Sequence, residues 1–137
     1  MRTFLFLQFS LLFLLAALFL NACGSDHGLK TLTIDPPTPD AQTFPDGKVQ
    51  FTAMGSYGGT SQPAAVNAMW WSYQPWGTAP PTPPTYSLDS TGLAWCFDVA
   101  HGTFPVWATA PKDQTLPLSK MTKETSQLTA TAQITCP

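Results

Sequence analysis

Leu128-Thr129-Ala130-Thr131-Ala132-Gln133-Ile134-Thr135-Cys136 alternates apolar and polar residues without a break. Successive side chains of an extended chain point to opposite sides, so this period of two describes a strand with one buried and one wetted face. Leu128, Ala130, Ala132, Ile134 and Cys136 form the inward set. Working back along the chain, shorter stretches of the same kind are separated by turn residues. Thr103 to Thr109 follows the Ala100-His101-Gly102 turn, and Leu93 to Val99 follows Ser90-Thr91-Gly92. Ala68 to Tyr73 is a further strand. Val49 to Tyr57 runs from the Asp46-Gly47 turn to Gly58-Gly59, with Val49, Phe51, Ala53 and Tyr57 on one side. Thr31 to Ile34 ends at Asp35-Pro36-Pro37-Thr38-Pro39, where the missing N–H groups exclude a central strand. Pro75 to Thr85 is proline-rich and is expected as an extended, partly polyproline loop. About seven short strands with turns between them predict an all-β chain folded as a single β-sandwich.

Composition narrows the function. The chain has 137 residues, 44% hydrophobic and only 10% charged, with a formal net charge of −2. That length holds one domain with a real core. Six Lys+Arg against eight Asp+Glu provide no cationic footprint for a phosphate backbone, so no nucleic-acid partner is expected. An enzyme is not expected either. His27 precedes the strands and His101 sits in a turn, no Cys/His set has metal-ligand spacing, and no glycine-rich phosphate loop occurs. Asp89 and Asp113 lie beside turns and Asp98 reads as a solvated strand position, so no carboxylate or nucleophile–base pair suggests itself. No cofactor and no metal are expected.

The N-terminus reads as an address. Arg2 precedes an apolar run from Phe4 to Leu20 interrupted only by Gln8 and Ser10, the pattern of a secretory signal peptide. An uncleaved anchor is the competing reading, because the run is at the lower limit of a bilayer span. Leu20-Asn21-Ala22-Cys23-Gly24-Ser25 resembles the lipobox of bacterial lipoproteins. The resemblance implies cleavage before Cys23, acylation of its thiol and new amine, and anchoring to a bacterial membrane; Gly24 favours sorting to an outer membrane. The expected organisation is a signal peptide over 1–22, a lipidated tether over 23–29 and the β domain over 30–137. If lipid consumes Cys23, Cys96 and Cys136 remain as an even pair in an oxidising compartment and are expected to form a disulfide. Two unrelated buried thiols are the alternative.

Leu32-Thr33-Ile34-Asp35-Pro36, Val49-Gln50-Phe51-Thr52-Ala53-Met54-Gly55-Ser56-Tyr57, Trp71-Ser72, Ser90-Thr91-Gly92-Leu93, Gly102-Thr103 and Thr129-Ala130-Thr131 together resemble a bacterial immunoglobulin-like domain of group 2, from about Lys30 onward. The resemblance implies an immunoglobulin-like sandwich in an extracytoplasmic, adhesion-type module with no catalytic set. The sequence departs from that family in its cysteine pair and in Pro105, which must lie at an edge, a bulge or a site without a ladder bond.

By the same resemblance Trp71 points inward, which leaves Trp70 outward. Trp107 is also outward, on a neighbouring strand of the implied sheet. Trp70, Trp107 and Trp76 of the proline-rich loop then form one aromatic patch. Either the loop folds over this patch, or the patch is a docking surface for a sugar ring, a peptide or a protein. The expected function is a structural or interaction module of the cell envelope. The alternatives are a carbohydrate-binding module using Trp70, Trp76 and Trp107, and an inhibitor or assembly factor acting through the Pro75–Thr85 loop.

Overall fold

The computed structural model describes residues 28–58, 62–79 and 85–137. Cys23 and the apolar run before it lie outside the described residues. Nine strands occur among those described: β1 (Thr31–Asp35), β2 (Lys48–Gln50), β3 (Thr52–Ser56), β4 (Ala64–Ala65), β5 (Met69–Trp71), β6 (Tyr86–Leu88), β7 (Leu93–Cys96), β8 (Gly102–Pro111) and β9 (Gln127–Cys136). They form three antiparallel sheets, ordered β1-β3-β4, β2-β7-β6 and β5-β8-β9. Apart from three short 3-10 turns, the described residues are all-β, as their alternation predicts.

The β8–β9 ladder is the longest pairing, running from Gly102 opposite Cys136 to Pro111 opposite Gln127. Its buried inward residues include four alanines, Ala108 and Ala110 on β8 and Ala130 and Ala132 on β9, beside Val106 and Ile134. Further bulk comes from other strands. Phe51, between β2 and β3, is 1% exposed, and Val49, Ile34, Tyr86 and Ala94 join it in one core cluster with the β8–β9 residues. Leu29, in the stretch read as tether, is also fully buried in that core. Gly55 makes this possible, because a Cβ there would collide with the Leu29 side chain.

The run from Val49 to Tyr57 is divided at Phe51, whose N–H donates to Gly92 O at 2.9 Å. Below this point the strand pairs with β7, and above it with β1 and β4. The Ala68–Tyr73 strand contracts to Met69–Trp71. The Leu93–Val99 strand stops at Cys96, because the chain turns and Ala100 N–H closes on Phe97 O at 2.9 Å. Two short strands, β4 and β6, have no counterpart in the sequence reading.

Prolines are used where no donor is required. After the cis Asp35–Pro36 bond, residues 37–40 run parallel to β9: Gln133 and Thr135 donate their N–H groups to Pro37 O and Pro39 O, both at 2.9 Å. Proline carbonyls thus cover the β9 edge while offering no N–H of their own. Pro105 stands opposite Gln133. Because the Gln133 N–H is committed to Pro37, this rung asks for no donor from Pro105. The Pro105 carbonyl instead accepts the Tyr86 hydroxyl at 2.5 Å.

That bond is one of two ties at the same end of the molecule. The other is the Cys96–Cys136 disulfide, with a Cα–Cα distance of 5.7 Å, which joins β7 to the end of β9. Tyr86 and Cys96 face each other across the β6–β7 pair, so the covalent and hydrogen-bonded ties stand side by side. Tyr86 is 4% exposed and its ring stacks on Phe104 at 6.1 Å. Burial pushes its phenol well above the ordinary tyrosine range.

Replacing both cysteines (Cys96→Ala with Cys136→Ala) opens a crosslink between residues 40 apart. The expected loss is about 4 kcal/mol of unfolding free energy, measured from urea denaturation midpoints. For Tyr86, the folded state holds its proton at pH values where the unfolded chain releases it. Its contribution is therefore complete below about pH 10 and declines as pH rises further. Tyr86→Phe is expected to lose roughly 1 kcal/mol at neutral pH and to flatten that alkaline decline in a denaturation series.

Candidate functional site

The facing of the tryptophans follows from the rungs of the β5-β8-β9 sheet. Trp70 stands opposite Ala108, which stands opposite Ala130; both alanines are buried in the core. Residues directly opposite in a ladder share a face, so Trp70 points inward, the reverse of the sequence expectation. It packs against the core and lies 6.4 Å from Phe51, ring to ring. Trp71 stands opposite Trp107 on the next rung and points outward. A shift of one residue exchanges the faces of an entire strand, and β5 offers no polar residue to set its parity. Met69, Trp70 and Trp71 are all apolar.

The outer aromatic group is therefore Trp71, Trp76 and Trp107, with Tyr73 added. Trp76 lies 5.1 Å from Trp71 between ring centroids, and Tyr73 meets Trp71 edge-on at 5.8 Å. The Trp71 indole N–H donates to Thr109 Oγ1 at 3.0 Å, which gives the fully buried Thr109 hydroxyl a partner. Trp71, Trp76 and Trp107 are all half-buried. Trp76, at φ 60°, brings the start of the proline-rich loop onto the outer face. Its Nε1 is buried without a hydrogen-bond partner among the described residues. This geometry matches Trp76 packed over Trp71 better than an open platform.

Turning Trp70 inward creates a different feature. On one side of the β2–β3 line, β7 begins after Gly92, and the β4–β5 segment approaches with Val66 N–H donating to Ala53 O at 2.9 Å. The two neighbours diverge and leave a cleft of about 250 Å³. Trp70, Val66 and Leu118 supply its accessible apolar wall, with the buried Phe51 behind the indole, and Gln50, Thr52, Asn67 and Ser90 contribute polar groups. Gly92, at φ +85°, holds Trp70 in place by having no side chain: a Cβ there would sit 2.8 Å from the indole and 2.7 Å from Phe51 O.

The carboxylates serve turns. Asp89 Oδ1 accepts from Thr91 N–H, Thr91 Oγ1 and Leu93 N–H at 2.8, 2.7 and 3.0 Å. The Thr91 hydroxyl bond first, and the Leu93 amide next, hold its carboxyl below the usual range. Asp113 accepts from the hydroxyl and N–H of Thr115 at 2.7 and 2.9 Å, and its carboxyl is lowered for the same reason. Asp98 is exposed. The His101 Nδ1 meets the Pro137 carbonyl. Among the described residues, no group of three His, Cys, Asp or Glu stands close enough to hold a metal ion.

No protein-family model matches the chain, and no curated protein matches it.

The Trp71–Trp76 contact is measurable on its own. A double-mutant cycle of Trp71→Ala and Trp76→Ala is expected to show a coupling of about 0.5–1.5 kcal/mol in unfolding free energy. Additive losses would mean that Trp76 does not rest on Trp71.

Proposed function

We propose that the protein is an exported, lipid-anchored, non-catalytic interaction module of the bacterial cell envelope, built as a single immunoglobulin-like sandwich. The strand order supports the sandwich. β6, β7, the continuous β2–β3 line and β1 follow one another as strands D, E, B and A of such a fold would, and β5, β8 and β9 follow as C, F and G. The strap of residues 37–40 along β9 completes the likeness to that arrangement. The disulfide departs from it by joining the E and G positions rather than B and F.

The observation that carries the reading is the Cys96–Cys136 bridge. Disulfides form and persist in oxidising, extracytoplasmic compartments. The bridge also leaves Cys23 as the odd cysteine, at the end of an apolar run suited to export. A single acyl chain holds a protein only reversibly, at about 0.8 kcal/mol per buried methylene; the several chains of a lipoprotein anchor it stably. The envelope is then the place of action, and the β domain presents surfaces to a protein or glycan there.

Intact mass spectrometry of membrane-extracted protein is expected to show a chain beginning at Cys23, carrying acyl groups and lacking two thiol hydrogens. Cys23→Ala is expected to abolish labelling by radioactive palmitate. Recovery of the wild-type chain as an unmodified soluble product would refute the proposal.

A further inference from the structure

We infer that the cleft beside Trp70 is a binding site for one neutral pyranose ring, as presented by an envelope glycan. The inference goes beyond the envelope-module reading by naming a ligand class and a place for it. It also moves sugar recognition from the outer aromatic face, where Trp76 packs on Trp71, to the opposite side of β5.

Three features of the cleft point the same way. Its wall is an indole fixed in position. Trp70 is clamped between Phe51 and the bare backbone of Gly92, so ordering it costs little side-chain entropy on binding. Its rim carries unused hydrogen-bonding capacity: the Thr52 and Ser90 hydroxyls and the Asn67 amide have no side-chain partner among the described residues. Gln50 is already immobilised, because Nε2 donates to Phe51 O at 2.9 Å and to Thr91 O at 2.8 Å. Its Oε1 is thereby held as a fixed acceptor. Finally, among the described residues none that lines the cleft is charged.

A pyranose has an apolar C–H surface and a girdle of hydroxyls that both donate and accept. An indole flanked by amides and hydroxyls matches both parts. A phosphate or carboxylate would find no cation here, and burying it uncompensated is costly. The volume of about 250 Å³ lies below the roughly 300–1,000 Å³ of drug-sized pockets, which suits one ring rather than several.

The test is a titration of the ¹⁵N-labelled full chain in detergent micelles, following the Trp70 indole N–H and the Asn67 side-chain amide by NMR. Glucose, galactose, N-acetylglucosamine and adenine are the probes. At least one sugar is expected to shift both signals saturably in the millimolar range while the Trp107 indole signal stays still. Asn67 is exposed, so Asn67→Ala is expected to leave the spectrum folded and to weaken that sugar about tenfold, as for the loss of one good hydrogen bond. The inference is overturned by silence of both signals at high millimolar sugar, by a response to adenine alone, or by shifts confined to Trp71, Trp76 and Trp107. Unchanged affinity in Asn67→Ala overturns it as well. Lipid does not enter this readout, so a failure here leaves the anchoring proposal standing, and the converse also holds.

Discussion

Four alanines form the middle of the inward β8–β9 surface, between Phe104 and Ile134 at one end and Leu128 at the other. Ala108, Ala110, Ala130 and Ala132 cannot fill the space between two layers by themselves, so the facing segments must contribute size. Phe51, Tyr86 and Trp70 do so, each from a different strand or strand junction. Most of the remaining architecture follows from this asymmetry. A flat alanine surface lets large rings lie close against it, and dense packing then fixes where each ring sits. Phe51 occupies the junction where β2 passes into β3, and Trp70 must turn inward to meet it.

Strand β7 is short, and its two ends have opposite characters. At its C-terminal end, the disulfide and the Tyr86–Pro105 bond join the β2-β7-β6 sheet to the β5-β8-β9 sheet within a few residues of each other. At its N-terminal end, the Asp89–Gly92 turn diverges from the β4–β5 segment and the cleft opens. The C-terminal end is crosslinked; the N-terminal end carries amides, hydroxyls and an indole. A rigid frame with polar groups held at one margin suits recognition, because little conformational entropy remains to be lost when a ligand binds. The turn carboxylates belong to this frame. Asp89 ties three donors together directly beside the cleft.

Proline gives the fold protection at its edges. The strap of residues 37–40 covers β9 with carbonyls alone, and Pro105 falls on a rung whose partner amide is already used. An open strand edge invites pairing with another chain. A proline-lined edge discourages it, a useful property for a module proposed to be concentrated at a membrane surface.

Much of this architecture is legible in the amino-acid order. The unbroken alternation of residues 128–136 identifies β9 and its inward set, since a period of two held over that length fits a strand and does not fit a helix. Turn residues mark most of the strand ends, and Pro105 announces a rung without a ladder donor. The pairing of Cys96 with Cys136 is arithmetic once export is assumed. Other features depend on tertiary contacts. β4 and β6 are too short to show periodicity. The facing of Trp70 and Trp71 is undetermined locally because β5 is apolar on both sides; the alanines opposite Trp70 on β8 and β9 decide it. The cleft is equally invisible in one dimension, because it exists only where two segments far apart in sequence leave the same strand in different directions.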